Sequence, residues 1–214
     1  MFTGLIGDVG KVQSVTNTSE GKRLFIKSEK FSPVLKVGDS IAINGACQTV
    51  LKIEGSIFSV DSVWVTLEKT NLGKLGAGSI VNLELPLLAN SRLDGHFVSG
   101  HVNAVAKIKK LAKQGENTLL TIAPPLEQMR YFSNEGSVAI DGISLTIAEV
   151  DDGEGTFTCS IIPHTVISTT LANRSIGDDV NIEVDILAKY MERLLTAPKA
   201  KKNITEKWLL ENGY

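Results

Sequence analysis

Cysteine is scarce in this chain of 214 residues: there are two, Cys47 and Cys159, and no CxxC pair. A disulfide framework or a cysteine zinc site needs more thiols, more closely spaced. Aromatic residues are few, at 6%, and neither sign of charge prevails, the formal net charge being −2. A nucleic-acid module needs stacking platforms and a basic face, so this balance argues against that class. Long apolar runs are missing as well. No stretch approaches the ~18 residues of a membrane span. Met1-Phe2-Thr3-Gly4-Leu5 lacks the basic start and long apolar core of a signal peptide. A cytoplasmic protein, away from membranes, is expected. The 43% hydrophobic content suffices for small buried cores.

What is present is a repeat. Ile41-Ala42-Ile43-Asn44-Gly45-Ala46-Cys47-Gln48-Thr49-Val50 is echoed by Val138-Ala139-Ile140-Asp141-Gly142-Ile143-Ser144-Leu145-Thr146-Ile147. Each copy is an apolar run, a turn dipeptide and a second run. Asn-Gly and Asp-Gly tolerate the positive φ of a tight turn, so both read as β-hairpins. The echo extends outward. Thr3-Gly4-Leu5-Ile6 answers to Ser99-Gly100-His101-Val102, Lys11-Val12 to Lys107-Ile108, and Phe58 to Phe157. Thr66, Thr70 and Leu72 answer to Thr165, Thr169 and Leu171, and Val81-Asn82-Leu83-Glu84 to Val180-Asn181-Ile182-Glu183. The offset drifts only from 96 to 99 residues. Two copies of this length are too few and too long for a solenoid, and read as two homologous domains in tandem.

Within each copy the apolar runs are short and separated by turns. Leu5 to Val15, Arg23 to Lys27, the 41–50 hairpin, Ile57 to Val60 and Ile80 to Leu85 read as strands of the first copy. Leu119 to Ile122, the 138–147 hairpin, Thr156 to Ile162 and Val180 to Val184 repeat them. About six short strands per copy predict an all-β small barrel or sandwich. Helical turns are expected near Pro33-Val34-Leu35 and over Leu126 to Phe132. The C-terminus differs. Ile186, Leu187, Tyr190, Met191, Leu194 and Leu195 recur at helical spacing, giving an amphipathic helix with no equivalent after the first copy. Its apolar face either packs on the chain's own barrels or self-associates. Lys199 to Lys202 reads as a solvated basic linker, and Thr205 to Tyr214 as a last short helix.

Polar residues recur at matching places. Cys47 and Thr49 end the first hairpin, and Ser144 and Thr146 end the second. Residues two apart on a strand share a face, so each pair offers two polar groups to one side. Cys159 stands where the first copy has Val60 and is expected in the core. For Cys47 both a core place and a pocket place stay open. Asp94-Gly95-His96-Phe97-Val98-Ser99-Gly100-His101-Val102 joins the copies and carries two of the three histidines. His101 replaces Leu5 of the repeat, and histidine can move protons near neutral pH. The spacing fits no metal-binding motif.

Together with Met1 to Ile6, Ile162-Pro163-His164-Thr165 and Val180 to Asp185 followed by Lys189-Tyr190, these motifs resemble the riboflavin synthases of the alpha-chain type over the whole chain. The resemblance implies two similar six-stranded Greek-key barrels, over 1–96 and 97–186. It also implies a C-terminal helical segment, 187–214, that holds a homotrimer together. It implies a cofactor-free dismutation of two 6,7-dimethyl-8-ribityllumazine molecules to riboflavin and 5-amino-6-(D-ribitylamino)uracil, the final step of riboflavin biosynthesis, and association with lumazine synthase. Two identical substrates call for two similar pockets, which a duplication supplies. By resemblance the first pocket uses Gly4, Leu5 and Ile6, then Cys47, Gln48 and Thr49, then Asp61, Ser62, Val63, Trp64, Val65 and Thr66. The second uses Gly100, His101 and Val102, then Glu135, Ser144, Leu145 and Thr146, then Ile161, Ile162, Pro163, His164, Thr165 and Val166. Ser40, Cys47, His101 and Asp185 match positions linked to turnover, with His101 expected to move protons and Ser40 or Cys47 to lie near the attacked carbon. The chain departs from the family at Val65, where a glutamate is usual beside an uncommon Trp64, at Glu135, where a lysine is usual, and at Gln48, where an apolar residue is usual. The competing activity is non-catalytic binding of lumazine or flavin by the same fold. Binders of that kind tend to lose the residues that His101 and the second hairpin's Ser and Thr represent, and this chain keeps them.

Overall fold

Alternating short runs close here into two barrels of the same topology. The computed structural model describes residues 1–197 with Leu210 and Gly213. The first barrel contains β1 (Asp8–Asn17), β2 (Gly21–Lys27), β3 (Ser40–Ile43), β4 (Ala46–Glu54), β5 (Ile57–Val63) and β6 (Ile80–Glu84). The second contains β7 (Ala104–Gln114), β8 (Asn117–Ala123), β9 (Ser137–Ile140), β10 (Ile143–Asp151), β11 (Thr156–Ile161) and β12 (Asp179–Val184). Around the first the order is β1-β2-β5-β4-β3-β6, and the second repeats it strand for strand. Every pairing is antiparallel. The register slips at Val12/Ser14 and Val50/Lys52, and again at Ile108/Lys110 and Ile147/Glu149. These matched irregularities bend the long strands, as closing a small barrel requires.

Inward side chains fill each barrel. Val12, Leu24, Ile26, Ile41, Phe58 and Val60 belong to one core, and Ile108, Leu120, Ile122, Val138, Phe157 and Cys159 to the other. Cys159 is fully buried, and burial pushes its thiol up to about 12. It is a small inert core residue, as its match to Val60 predicts.

The barrels meet at their hairpin tips. Asn44-Gly45 and Asp141-Gly142 adopt the same positive-φ turn, with φ of 46° and 79° in each. A Cβ on Gly45 would stand 2.7 Å from the amide nitrogen of Gly142, so only glycine permits this approach. Around the tips runs a buried polar network. Asn181 Nδ2 donates to Asn44 O (2.8 Å) and Asn82 Nδ2 to Asp141 O (3.0 Å). Asn71 N donates to Asn181 Oδ1 (2.6 Å) and Thr170 N to Asn82 Oδ1 (2.8 Å). The symmetry breaks at one carboxylate. Fully buried Asp141 accepts from Asn71 Nδ2, from Asn181 N and from Arg174 Nη2. Burial nonetheless holds its carboxyl above the ordinary carboxylate range. On the same seam Phe2 pairs with Val98 and packs with Ala42, Ala139 and Cys47.

Beyond the last strand, α3 (Ile186–Thr196) is N-capped by Asp185, whose carboxylate accepts from Leu187 N. Its polar side touches the second barrel, through Glu192 to the hydroxyl of Tyr131 and to Arg130. Leu187, Tyr190, Met191, Leu194 and Leu195 all stay exposed. Of the two expectations for this helix, cover by its own barrels is not what the structure shows. Leu126–Tyr131 is the expected helical turn, a 3-10 turn, whereas Pro33 to Leu35 lie in plain turns and a coil. The basic linker at 199–202 and the last short helix at 205–214 fall outside the described residues, apart from Leu210 and Gly213.

Replacing Asp141 by Ala leaves Arg174 and two donors without their buried partner, and should cost about 3–5 kcal/mol of unfolding free energy. Asp141→Asn, which copies Asn44, keeps an acceptor and should cost less than half as much. Urea denaturation of the two variants measures the difference.

Candidate active site

The two loops that precede the barrels reach across to each other's partner. In the first half, Glu84 of β6 is buried and accepts from Thr3 N and Thr3 Oγ1 (both 2.7 Å) and from Gly4 N (3.1 Å). In the second half, Glu183 of β12 accepts from Ser99 N and Ser99 Oγ (both 2.6 Å) and from Gly100 N (3.1 Å). Held this way, Gly4 O accepts from Ser144 N of the second barrel (2.8 Å), and Gly100 O accepts from Cys47 N of the first (2.9 Å). Both glycines have positive φ, and a Cβ on either would lie within 2.6 Å of the facing residue's Cβ. The same pull explains why β1 starts at Asp8 and not at Leu5.

This crossing corrects the grouping that the sequence suggests. Gly100, His101 and Val102 belong with Cys47, Val65 and Thr66 on the first barrel, where they line a cavity of about 230 Å³ with Ala46, Lys69 and Thr70. Gly4, Leu5 and Ile6 belong with the second barrel: Gly4 bonds Ser144, and Ile6 packs against the second core. Val102 packs against the first core in return.

A short helical segment that strand patterning did not announce rims the first cavity, and the second barrel repeats it. These are α1 (Trp64–Lys69) followed by a 3-10 turn (Asn71–Lys74), and α2 (Pro163–Ile167) followed by another (Thr170–Asn173). The repeated threonines explain the pair. Thr70 Oγ1 donates to Thr66 O and accepts from Leu72 N, and Thr169 Oγ1 does the same with Thr165 O and Leu171 N.

Several expected pocket residues turn away. Gln48 is buried on the opposite face of β4 from Cys47 and Thr49, where its side-chain carbonyl accepts from Ser62 Oγ (2.6 Å) and its amide donates to Cys47 O. Gln48 and Ser62 thus satisfy each other inside the barrel, which is how a polar residue fits an apolar position. Leu145 and Ile161 are core residues for the same reason of alternation. Asp61 is paired with Arg23 (2.7 Å) on the outer wall, and that guanidinium holds its carboxyl low. Val63 is exposed, and Trp64 faces a neighbouring groove of about 470 Å³. Thr49, Thr146, Ile162, Pro163 and His164, by contrast, are open to solvent, and Thr165 and Val166 are half-buried. Glu135 is exposed, at a φ of 65°.

The four residues that the resemblance links to turnover are not gathered in one place. His101 and Cys47 share the first cavity. Ser40 lines another, of about 380 Å³, with Val34, Leu35, Leu85, Pro86 and Leu88. Asp185 caps α3 and lies close enough to His96 to act on its charge. His96 itself went unremarked as a site residue in the sequence. It is buried, with Nδ1 2.7 Å from Ser144 Oγ, and no counterpart in the first copy draws the eye to it.

The comparisons with known proteins agree with this geometry. The lumazine binding domain family matches twice, over residues 3–86 and 99–185. The riboflavin synthase of Actinobacillus pleuropneumoniae is 39% identical over 217 residues, covering all of both chains. That of Bacillus subtilis is 38% identical with the same coverage, and that of Schizosaccharomyces pombe is 40% identical over 92% of this chain and 95% of its own. Among solved structures, LumP complexed with riboflavin superposes with a TM-score of 0.79 at 23% identity, over 86% of this chain and 99% of that one. LumP complexed with 6,7-dimethyl-8-(1'-D-ribityl) lumazine gives 0.77 at 22% identity with the same coverage.

Thiol chemistry checks the placement of the cysteines. Iodoacetamide at mildly alkaline pH should label half-buried Cys47 in the native protein and leave Cys159 unlabelled until unfolding, because only an accessible thiolate reacts. Peptide mass mapping showing Cys159 labelled in the native state would contradict the fold. With two lumazine-binding barrels in register and full-length relatives that share more than a third of its residues, the chain belongs to the riboflavin synthase family.

Proposed function

We propose that this chain converts two molecules of 6,7-dimethyl-8-ribityllumazine into riboflavin and 5-amino-6-(D-ribitylamino)uracil, one lumazine giving a four-carbon unit to the other. The crossed loops carry this reading. Each barrel's hairpin is completed by a glycine carbonyl from the other half, which makes two matched recognition sites from one duplicated sequence. Two bound copies of one molecule are what a dismutation needs, and holding both rings in place replaces a bimolecular encounter by a positioned one.

In the first site, backbone groups around Ala46, Cys47 and Gly100 take the ring edge, while Thr66 and Lys69 offer polar contacts to the ribityl hydroxyls. His101, exposed at the rim beside Cys47, moves the proton that leaves the C7 methyl group, whose carbanion the ring stabilises. Cys47 lies near the attacked carbon. In the second site Ser144 and Thr146 on β10, with Ile162 to Val166, play the corresponding binding roles.

At about 230 Å³ the first cavity is smaller than the ~300–1,000 Å³ typical of small-molecule sites. A lumazine with its ribityl chain therefore extends past it, and a neighbouring subunit supplies the rest. The uncovered apolar residues of α3 support such an assembly, a homotrimer in the cytoplasm joined through this helix, with the first barrel of one chain facing the second of the next. Ser40 and Asp185, apart in one chain, come to the reacting pair only across such a face.

Incubation of the purified protein with the lumazine should yield riboflavin absorbance without added cofactor; binding with no conversion would leave only the binder of the same fold. His101→Ala should cut turnover at least tenfold while lumazine still binds, and an unchanged rate would remove His101 from the mechanism. Light scattering should give three times the 23.0 kDa chain mass.

A further inference from the structure

The two sites are not chemically equal, and the difference lies in one buried side chain. Cys47 and Ser144 occupy matching places, two residues past the hairpin tips. Ser144 has a partner that Cys47 lacks: Oγ stands 2.7 Å from Nδ1 of His96. Among the described residues no imidazole hydrogen-bonds the Cys47 side chain.

His96 is 92% removed from solvent, its relative exposure being 8%. Its backbone N–H donates to Thr3 O (3.2 Å), so it straps the crossed loop onto the second barrel. Nε2 has no hydrogen-bond partner among the described residues. The charged groups facing the ring are Asp185 and Glu183, which favour its cationic form, and burial outweighs them and lowers its pKa. The imidazole is therefore neutral at physiological pH. We assign the ring proton to Nε2, which leaves Nδ1 as an acceptor for the Ser144 hydroxyl.

We propose that His96 is a positioning residue of the second site, which commits the hydrogen of Ser144 to Nδ1 and so turns the serine oxygen toward the bound lumazine as a hydrogen-bond acceptor. The first site has a thiol in the serine's place, with no imidazole hydrogen-bonded to it among the described residues, and lacks that acceptor. Two identical molecules are thereby held in unlike surroundings, and a reaction in which one gives and the other receives four carbons needs such a difference. Protonation of His96 reverses the arrangement. Nδ1 would then donate to Ser144 Oγ, and the serine hydrogen would turn to the ligand.

The inference rests on the functional reading above, and the test separates the two. Steady-state turnover would be measured for wild type, His96→Ala, His96→Asn, Ser144→Ala and the double variant His96→Ala with Ser144→Ala. Asparagine places a carbonyl oxygen near the position of Nδ1. His96→Ala should lower kcat at least tenfold, and His96→Asn should recover most of the loss. The double variant should be no slower than Ser144→Ala alone, since residues acting as one unit are not additive. In wild type kcat should fall as pH drops below the ordinary histidine value of about 6.5, and in His96→Asn that limb should become shallower, with only the proton-accepting step left to limit it. Additive losses, an asparagine variant no better than alanine, or an acid limb unchanged in His96→Asn would overturn the proposal. If wild type binds lumazine without converting it, the functional reading fails instead. Fluorescence titration then decides this inference: His96→Ala should weaken one of two lumazine sites about tenfold and spare the other. Thermal melts of each variant, and an unaltered spared site, show that the fold survives.

Discussion

Two buried glutamates hold this molecule to its shape. Glu84 and Glu183 each sit on the last strand of a barrel and each take three hydrogen bonds from a Thr-Gly or Ser-Gly loop. Burying a carboxylate is costly unless its oxygens are satisfied. Around Glu84 the desolvation still prevails over the hydrogen bonds and raises the carboxyl above its usual range. What this cost supports is the path of the loop. Clamped to its own barrel at one residue, the chain must expose the next carbonyl toward the other barrel, and Gly4 O and Gly100 O meet Ser144 N and Cys47 N there. Each site is then owned by both halves.

The seam at the hairpin tips keeps that sharing in register. Gly45 and Gly142 stand so close that side chains are not admitted, and four asparagines with one aspartate satisfy the backbone that surrounds them. A shift of one barrel against the other would break several of these bonds at once, each leaving a buried group unpaired at about 1–3 kcal/mol. The relation between the tips fixes the relation between the loops, because Cys47 and Ser144 follow the tips by two residues.

Much of this was legible in the sequence. The Asn-Gly and Asp-Gly hairpins, the twelve-strand repeat in outline, the core position of Cys159 and the matched Thr66–Thr70 and Thr165–Thr169 pairs all follow from local chemistry and a constant offset. Which barrel each loop serves did not follow, since a repeat shows that two segments correspond but not where either docks. The helices α1 and α2, six and five residues long, were missed because so short a run shows no periodicity against strand patterning. Gln48 and Leu145 could have been placed. If Cys47 and Thr49 share one face, the residue between them must occupy the other, although the resemblance groups all three.

His96 escaped notice for the opposite reason: it lies outside the segments that the repeat pairs. Internal repetition draws attention to positions that are kept, yet two identical molecules that play different parts call for a difference between their sites. The proton has to leave one substrate and the carbon fragment has to reach the other, so the copies must differ where they touch the ring. The linker between the barrels delivers His96 to Ser144, and among the described residues no imidazole is hydrogen-bonded to Cys47. Asp141 with Arg174 is a second departure from symmetry, but it lies in the seam and serves docking. The functional asymmetry of such a tandem protein is best sought where the alignment of its halves runs out.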